Sequence, residues 1–180
     1  MVDENATPAE SEWRYLLGEL GKRTTDPLRS VPFVIYTFIG TLFLGGLGIW
    51  TEVVKILLSK PPVELASLLT AISTFFPALV GSAALQLVFA AANKSDKVLI
   101  AFAWFAFCIF LAAAVLLSLF SSKFPVPSII IGTILSIGAV WFWWITNGVD
   151  PLYKTISPDA PTGGPTDRNL SGTLDGYVVQ

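Results

Sequence analysis

Four stretches of this chain carry no Asp, Glu, Lys or Arg, and each is 20 residues or longer: 31–50, 65–92, 98–120 and 126–146. Crossing a hydrocarbon core of about 30 Å takes roughly 20 apolar residues in a helix. In lipid an isolated span has to pair its own backbone groups, which a helix does. The runs therefore predict an all-α, polytopic membrane protein with a bundle of four transmembrane helices. A soluble reading fails on composition. Only 13% of the 180 residues are charged and 53% are hydrophobic, against about 25% charged in an ordinary soluble domain. Four charge-free runs leave too little polar surface to cover them.

The remainder divides into two flanks. Residues 1–30 form a polar N-terminal segment, residues 31–146 the four-helix domain, and residues 147–180 a tail. The tail, with Pro158, Pro161, Gly163, Gly164 and Pro165, is too poor in apolar residues to order itself and is expected to be disordered. The N-terminal segment does not read as a secretory signal, because it begins acidic and the first apolar run exceeds an h-region. Basic residues set the orientation. Eight of the 11 (Arg14, Lys22, Arg23, Arg29, Lys94, Lys97, Lys154 and Arg168) fall on one side, and Lys55, Lys60 and Lys123 on the other. The positive-inside rule then puts both termini in the cytoplasm of a multi-pass protein of the cell membrane, the plasma or inner membrane.

Short connections at 93–97 and 121–125 predict antiparallel neighbours. Residues 51–59 continue a helical pattern, with Glu52 and Lys55 at i,i+3, so the first helix is expected to run on until Pro61-Pro62 stops it. In the N-terminal segment, Thr7-Pro8-Ala9-Glu10 fits a capping box with Pro at the first helical position. Trp13, Leu16, Leu17 and Leu20 follow at i, i+3, i+4 and i+7, one face of an amphipathic helix. Gly21-Lys22 is expected to end that helix and Asp26-Pro27 to make a turn. Its apolar face suits the inner membrane surface, with Arg14, Lys22, Arg23 and Arg29 near anionic headgroups. A cytoplasmic protein partner docking through residues 1–30 is the other use.

Two sets of residues stand out inside the runs. Gly40 and Gly45 belong to a small-residue face of the first run in which Thr41 and Gly45 are four apart, and Ser128, Gly132 and Ser136 recur every four positions in the fourth, spacings that let helices approach closely. They are candidate contacts in a homo-oligomer, with packing inside one chain as the plainer reading. In the second run Thr70, Ser73, Thr74, Pro77 and Gly81 share a stripe about 100° wide, and Ser82, Gln86 and Asn93 form another group. Pro77 is expected to kink the helix. Gln86 is the costliest of these to leave in lipid, since an amide needs hydrogen-bond partners. The stripe is a candidate pore lining or helix contact; hydroxyls bonded back to their own helix are the alternative. Trp50 and Trp141, Trp143 and Trp144 read as anchors at headgroup level.

Catalytic chemistry finds no support. With no histidine and one cysteine, Cys108, neither an imidazole base nor a multi-cysteine metal site exists. The runs lack the carboxylates and cations of intramembrane relays, and no basic surface suits nucleic acid. The expectation is a non-enzyme with no cofactor and no metal, whose partners are the lipid bilayer, copies of itself and a cytoplasmic protein. Its role would be accessory or scaffolding, through helix–helix association and the cytoplasmic tails. The rival expectation is an oligomerising, membrane-permeabilising effector of the kind that holins and phage-defence pore-formers represent.

Overall fold

The computed structural model describes residues 8–58 and 65–149. Thr7 of the capping box, Pro61-Pro62 and the tail from residue 150 onward lie outside the described residues. Every regular element among those described is helical. Helix α1 covers Pro8–Thr25 and leads through a 3-10 turn, Asp26–Arg29, into α2, Val31–Tyr36. A π-helical segment, Thr37–Leu44, then passes through Gly45-Gly46 into α3, Leu47–Leu58. Three long helices complete the fold: α4, Ala66–Asn93, α5, Lys97–Phe120, and α6, Pro125–Asn147.

Helices α4, α5 and α6 are each long and apolar enough to cross a membrane. A fourth candidate exists only as a broken path, in which Ala9–Arg29 meets Val31–Leu44 at a bend of 94°. The first charge-free run is therefore helical along its length but segmented, where the sequence suggests one continuous helix. Its irregularity is local. The Gly45 N–H reaches back five residues to the Gly40 carbonyl at 2.9 Å, and the Trp50 indole N–H donates to the Leu42 carbonyl, 3.0 Å away across the junction. A Cβ on Gly45 would lie 2.5 Å from the Thr41 carbonyl oxygen, and one on Gly46 would collide with that of Leu42. Glycine is what allows the wide turn to close.

The core sits on α4. Leu68, Ile72, Phe76, Val80, Ala83, Leu87 and Ala91 are buried along it, a stripe near the 3.6-residue period. Against it α6 contributes Ala139, Phe142 and Ile145, and α5 contributes Ala103, Ala106 and Leu117. Helix α6 packs chiefly on α4 and only lightly on α5, its neighbour in sequence. Gly132 explains the closeness: a Cβ there would stand 2.6 Å from Ile72 Cγ2 and 3.2 Å from Leu117 Cδ2. Helix α4 runs as one helix through Pro77. The α4–α5 link is short enough that Ser95 takes a left-handed conformation, φ 55°.

The outward faces carry the opposite composition. Phe89, Phe105, Leu119, Ile130, Ile134 and Ile137 are all more than half exposed. Water-soluble monomers rarely show contiguous apolar patches beyond a few hundred Å². The bundle is apolar inside and outside alike.

Helix α1 runs past Gly21 to Thr25, further than the sequence suggests. Nothing lies within 4 Å of a Cβ built at Gly18 or Gly21, so neither glycine meets a steric demand. The contacts of Leu16, Leu20 and Thr24 on the bundle outweigh the cost of about 1 kcal/mol for a helical glycine. The corner after α1 is wedged by aromatic rings. Phe33, fully buried, stacks on Trp143 with centroids 5.9 Å apart and meets Trp144 edge-on at 4.8 Å. The Trp144 indole donates to the Thr24 carbonyl at 3.1 Å, and a Cβ on Gly148 would strike the Pro27 ring. Trp143 is thus buried as an internal clamp, whereas Trp50 and Trp141 remain partly exposed.

Candidate functional site

Among the described residues, several surface features hold residues with chemistry to offer. The first is a cleft of about 470 Å³ between the start of α4 and the end of α5. Thr70, Ser73 and Thr74 line it from α4, and Ser118, Ser121 and Ser122 face them from α5 and its C-terminal turn. Thr70 and Thr74 donate back to the Ala66 and Thr70 carbonyls at 3.0 Å, and Ser121 to the Ser118 carbonyl at 3.0 Å. Their oxygens keep free lone pairs. The Ser73, Ser118 and Ser122 hydroxyls have no partner among the described residues. Pro77, lacking an N–H, also leaves the Ser73 carbonyl without its usual helical donor. No lining residue is titratable, so no serine there has a base to activate it. The cleft can hydrogen-bond water or a neutral polar group.

The rest of the predicted stripe does not reach this cleft. Pro77 and Gly81 are half-buried one and two turns further along α4, and a Cβ on Gly81 would sit 3.8 Å from the Phe107 ring of α5. Below the cleft the bundle axis is filled by Phe76, Val80, Ala83 and Leu87. Gln86 points elsewhere. With Ala78 and Ser82 it lies on an exposed strip of α4, and its amide has no hydrogen-bond partner among the described residues.

The small-residue positions also separate. Ser128 and Gly132 are buried inside the chain, while the Ser136 hydroxyl donates to the Gly132 carbonyl at 2.8 Å. Gly40 is half-buried beside the Tyr36 ring. Gly45 lines a groove of about 380 Å³ between α3 and α4, opposite Ala78 and Ser82. On the other flank of α3, Ile49, Trp50 and Phe75 meet Ser136, Ile137 and Val140 around an apolar groove of about 350 Å³.

The base of the bundle, where α1 meets the α4–α5 link, brings Tyr15, Glu19, Arg23 and Asp96 together. Leu16 is buried and Leu20 half-buried against α5, whereas Trp13 and Leu17 are exposed. The amphipathic face is therefore split, with part docking α1 and part left outward. The Tyr15 hydroxyl donates to Asp96 Oδ2 at 2.5 Å, and Asp96 Oδ1 accepts the Leu99 N–H at 3.1 Å as the cap of α5. Partial burial pushes the Asp96 carboxyl up, but the Tyr15 hydroxyl, the Leu99 and Val98 N–H groups and the Arg23 charge together hold it below its ordinary 3.8. The same bond, helped by partial desolvation, raises the Tyr15 phenol above 10.0. Arg23 is 4% exposed and pairs with Glu19 at 2.8 Å, with Nη1 left without a partner. It is thus turned into the protein, where the sequence suggests a headgroup contact. Among the described residues no three carboxylates or thiols are grouped to hold a metal ion.

The sequence does not single out Ser118, Ser121 and Ser122, although their i, i+3, i+4 spacing marks one helix face. Tyr15 and Asp96 are 81 residues apart, and no local pattern joins them. Set against protein-family models, curated proteins and solved structures, the chain matches none of them.

Proposed function

We propose that this is a multi-pass protein of the cell membrane, with both termini in the cytoplasm, that acts without catalysis. It works by helix association in the bilayer and by presenting α1 and the tails to a cytoplasmic protein. The observation that carries the reading is the pairing of an apolar exterior on α4, α5 and α6 with a polar helix set at 94° to the chain that follows it. If the long helices stand along the membrane normal, α1 lies in the plane of the inner surface. There its connections hold the greater share of the basic residues, as the positive-inside rule requires. The first charge-free run supplies the fourth crossing, through Val31–Tyr36, the π segment and α3. Deleting residues 1–24 should leave membrane insertion intact and abolish co-purification of a cytoplasmic protein; an unchanged set of co-purifying proteins contradicts the scaffold role.

Self-association belongs to the same reading. Because Ser128 and Gly132 are buried within the chain, a second copy would use the exposed α4 strip bearing Ala78, Ser82 and Gln86. An amide in hydrocarbon gains on the order of 1 kcal/mol from a hydrogen bond across helices. Crosslinked dimers that persist unchanged in Gln86→Leu would rule this strip out.

The permeabilising effector is the second reading, favoured by the hydroxyl-lined cleft and the unpartnered Gln86. Several copies would be needed, since the axis of one chain is filled by Phe76 and Val80. Induced expression should then collapse the membrane potential, reported by a potential-sensitive dye, and Thr74→Leu should relieve the effect. Normal growth with an intact potential at high expression removes this reading.

A further inference from the structure

The groove between α1 and the start of α5 combines an apolar floor with two opposite charges. It measures about 510 Å³ and is lined by Glu12, Trp13 and Leu16 from α1 and by Lys97, Ala101, Phe102 and Phe105, among others, from α5. Glu12 and Lys97 are both exposed. Neither has an ion-pair or hydrogen-bond partner among the described residues. Trp13 and Phe105 are each 64% exposed, so both rings are open to a ligand in the groove.

We propose that this groove is a binding site for one phospholipid whose headgroup carries both a phosphate and a primary ammonium, as in phosphatidylethanolamine. The inference rests on the membrane reading above, which sets α1 at the inner surface and sends α5 outward from it. Lys97 then lies at headgroup level, and Phe105 about 12 Å deeper at 1.5 Å per residue. Ala101, Phe102 and Phe105 offer one flank of α5 to an acyl chain, and Trp13 sits where aromatic rings favour the interface. The rim supplies the selectivity. The Lys97 ammonium pairs with the lipid phosphate, and the Glu12 carboxylate accepts hydrogen bonds from the lipid ammonium. A quaternary choline has no N–H to donate. A glycerol headgroup brings no positive charge, so its phosphate meets Glu12 uncompensated. Lys97 by itself would favour any anionic lipid; the Glu12 carboxylate lining the same groove reverses that preference.

The test uses the full chain purified in detergent micelles and offered equal amounts of dioleoyl phosphatidylethanolamine, phosphatidylcholine and phosphatidylglycerol. Bound lipid is counted by native mass spectrometry. The one-lipid adduct with phosphatidylethanolamine should exceed each of the others about tenfold, the scale of one charge-assisted hydrogen bond. Glu12→Lys should turn the preference toward phosphatidylglycerol, and the exchanged pair Glu12→Lys with Lys97→Glu should restore it. Ala101→Trp, at an exposed position, should fill the floor and reduce all three adducts. Equal adducts in the unaltered chain, a preference for either other lipid, or a preference that survives Glu12→Lys overturns the proposal. An alkaline wash of membranes separates the two levels of failure. Protein retained in the membrane without lipid selectivity sinks the site alone, whereas protein released by the wash sinks the membrane reading and the site with it.

Discussion

The first charge-free run and the last are alike in composition but differ in how they are held. Around Gly132, α6 approaches α4 and α5 so closely that a single added carbon would meet Ile72 Cγ2 at 2.6 Å. Around Gly48, α3 leaves open grooves on both flanks, and a Cβ there would find only Ala71, 4.0 Å away. No residue of α3 is buried and the run before it buries Phe33, Thr37 and Thr41, while α6 buries seven. On the proposed membrane reading no hydrophobic force acts between helices in lipid, so contact comes from shape and dispersion. Glycine in α6 is therefore a packing residue. In the first run glycine serves the backbone, letting Gly45 and Gly46 pass close to the preceding turn. Helices α4, α5 and α6 form a block, and the first run leans on it.

The sharpest way to break this comparison is to substitute both glycines. Gly132→Ile should overpack the α4–α6 contact and destabilise the protein by about 3 kcal/mol, seen as a lower unfolding midpoint in detergent. The charged base at Arg23 gives the next largest effect. Glu19→Ala leaves the buried Arg23 guanidinium without its ion-pair partner, a loss of about 2 kcal/mol once partial exposure of Glu19 is allowed for, measured the same way.

Tyr15→Phe should cost about 1 kcal/mol and loosen α1 alone. A distance between spin labels at residues 22 and 94, in a Cys108→Ser background, should broaden, with the unfolding midpoint falling less than in Glu19→Ala. That contact also has a pH window. Asp96 is held below 3.8 in the folded protein, so its contribution is present above that value and lost as pH falls through the depressed one. Tyr15 is held above 10.0, so its contribution is present below 10.0 and lost as pH rises through the raised value. The label distance should therefore stay constant between those limits and broaden outside them. The smallest effect closes the comparison: Gly48→Leu, facing an open groove, should change stability by less than about 0.5 kcal/mol. A loss there as large as that at Gly132 would show that the first run is packed as tightly as α6.

Much of the architecture was legible from the chain alone, for a physical reason. Charge-free runs of 20 residues permit few structures, and Leu68, Ile72, Phe76 and Val80 repeat at helical spacing, so the three long helices emerge from composition and period. Half of the hydroxyl cleft was legible too, because Thr70, Ser73 and Thr74 share one face of α4. Its other half, Ser118 to Ser122, depends on which face α5 turns toward α4, and no single helix encodes that. The small-residue spacing of Ser128 and Gly132 marked a close approach without naming the neighbour, which proved to be Ile72 and Leu117 of the same chain. The right-angled corner at Ser30 was hidden for the same reason. It depends on Phe33 meeting Trp143 and Trp144, more than 100 residues away, and those rings look like ordinary headgroup anchors when read locally.

The central proposal is that the helix block sits in lipid with α1 along the inner surface. Spin labels at Val115 and Ile131 on the outward faces, and at Trp13 on α1, test it directly through their relative exposure to dissolved oxygen and to a water-soluble nickel chelate. Each is introduced through a single cysteine in the Cys108→Ser chain reconstituted in bilayers. The account predicts that residues 115 and 131 are reached by oxygen and shielded from nickel, with residue 13 intermediate at headgroup depth. Free access of the nickel chelate to residues 115 and 131 would contradict it.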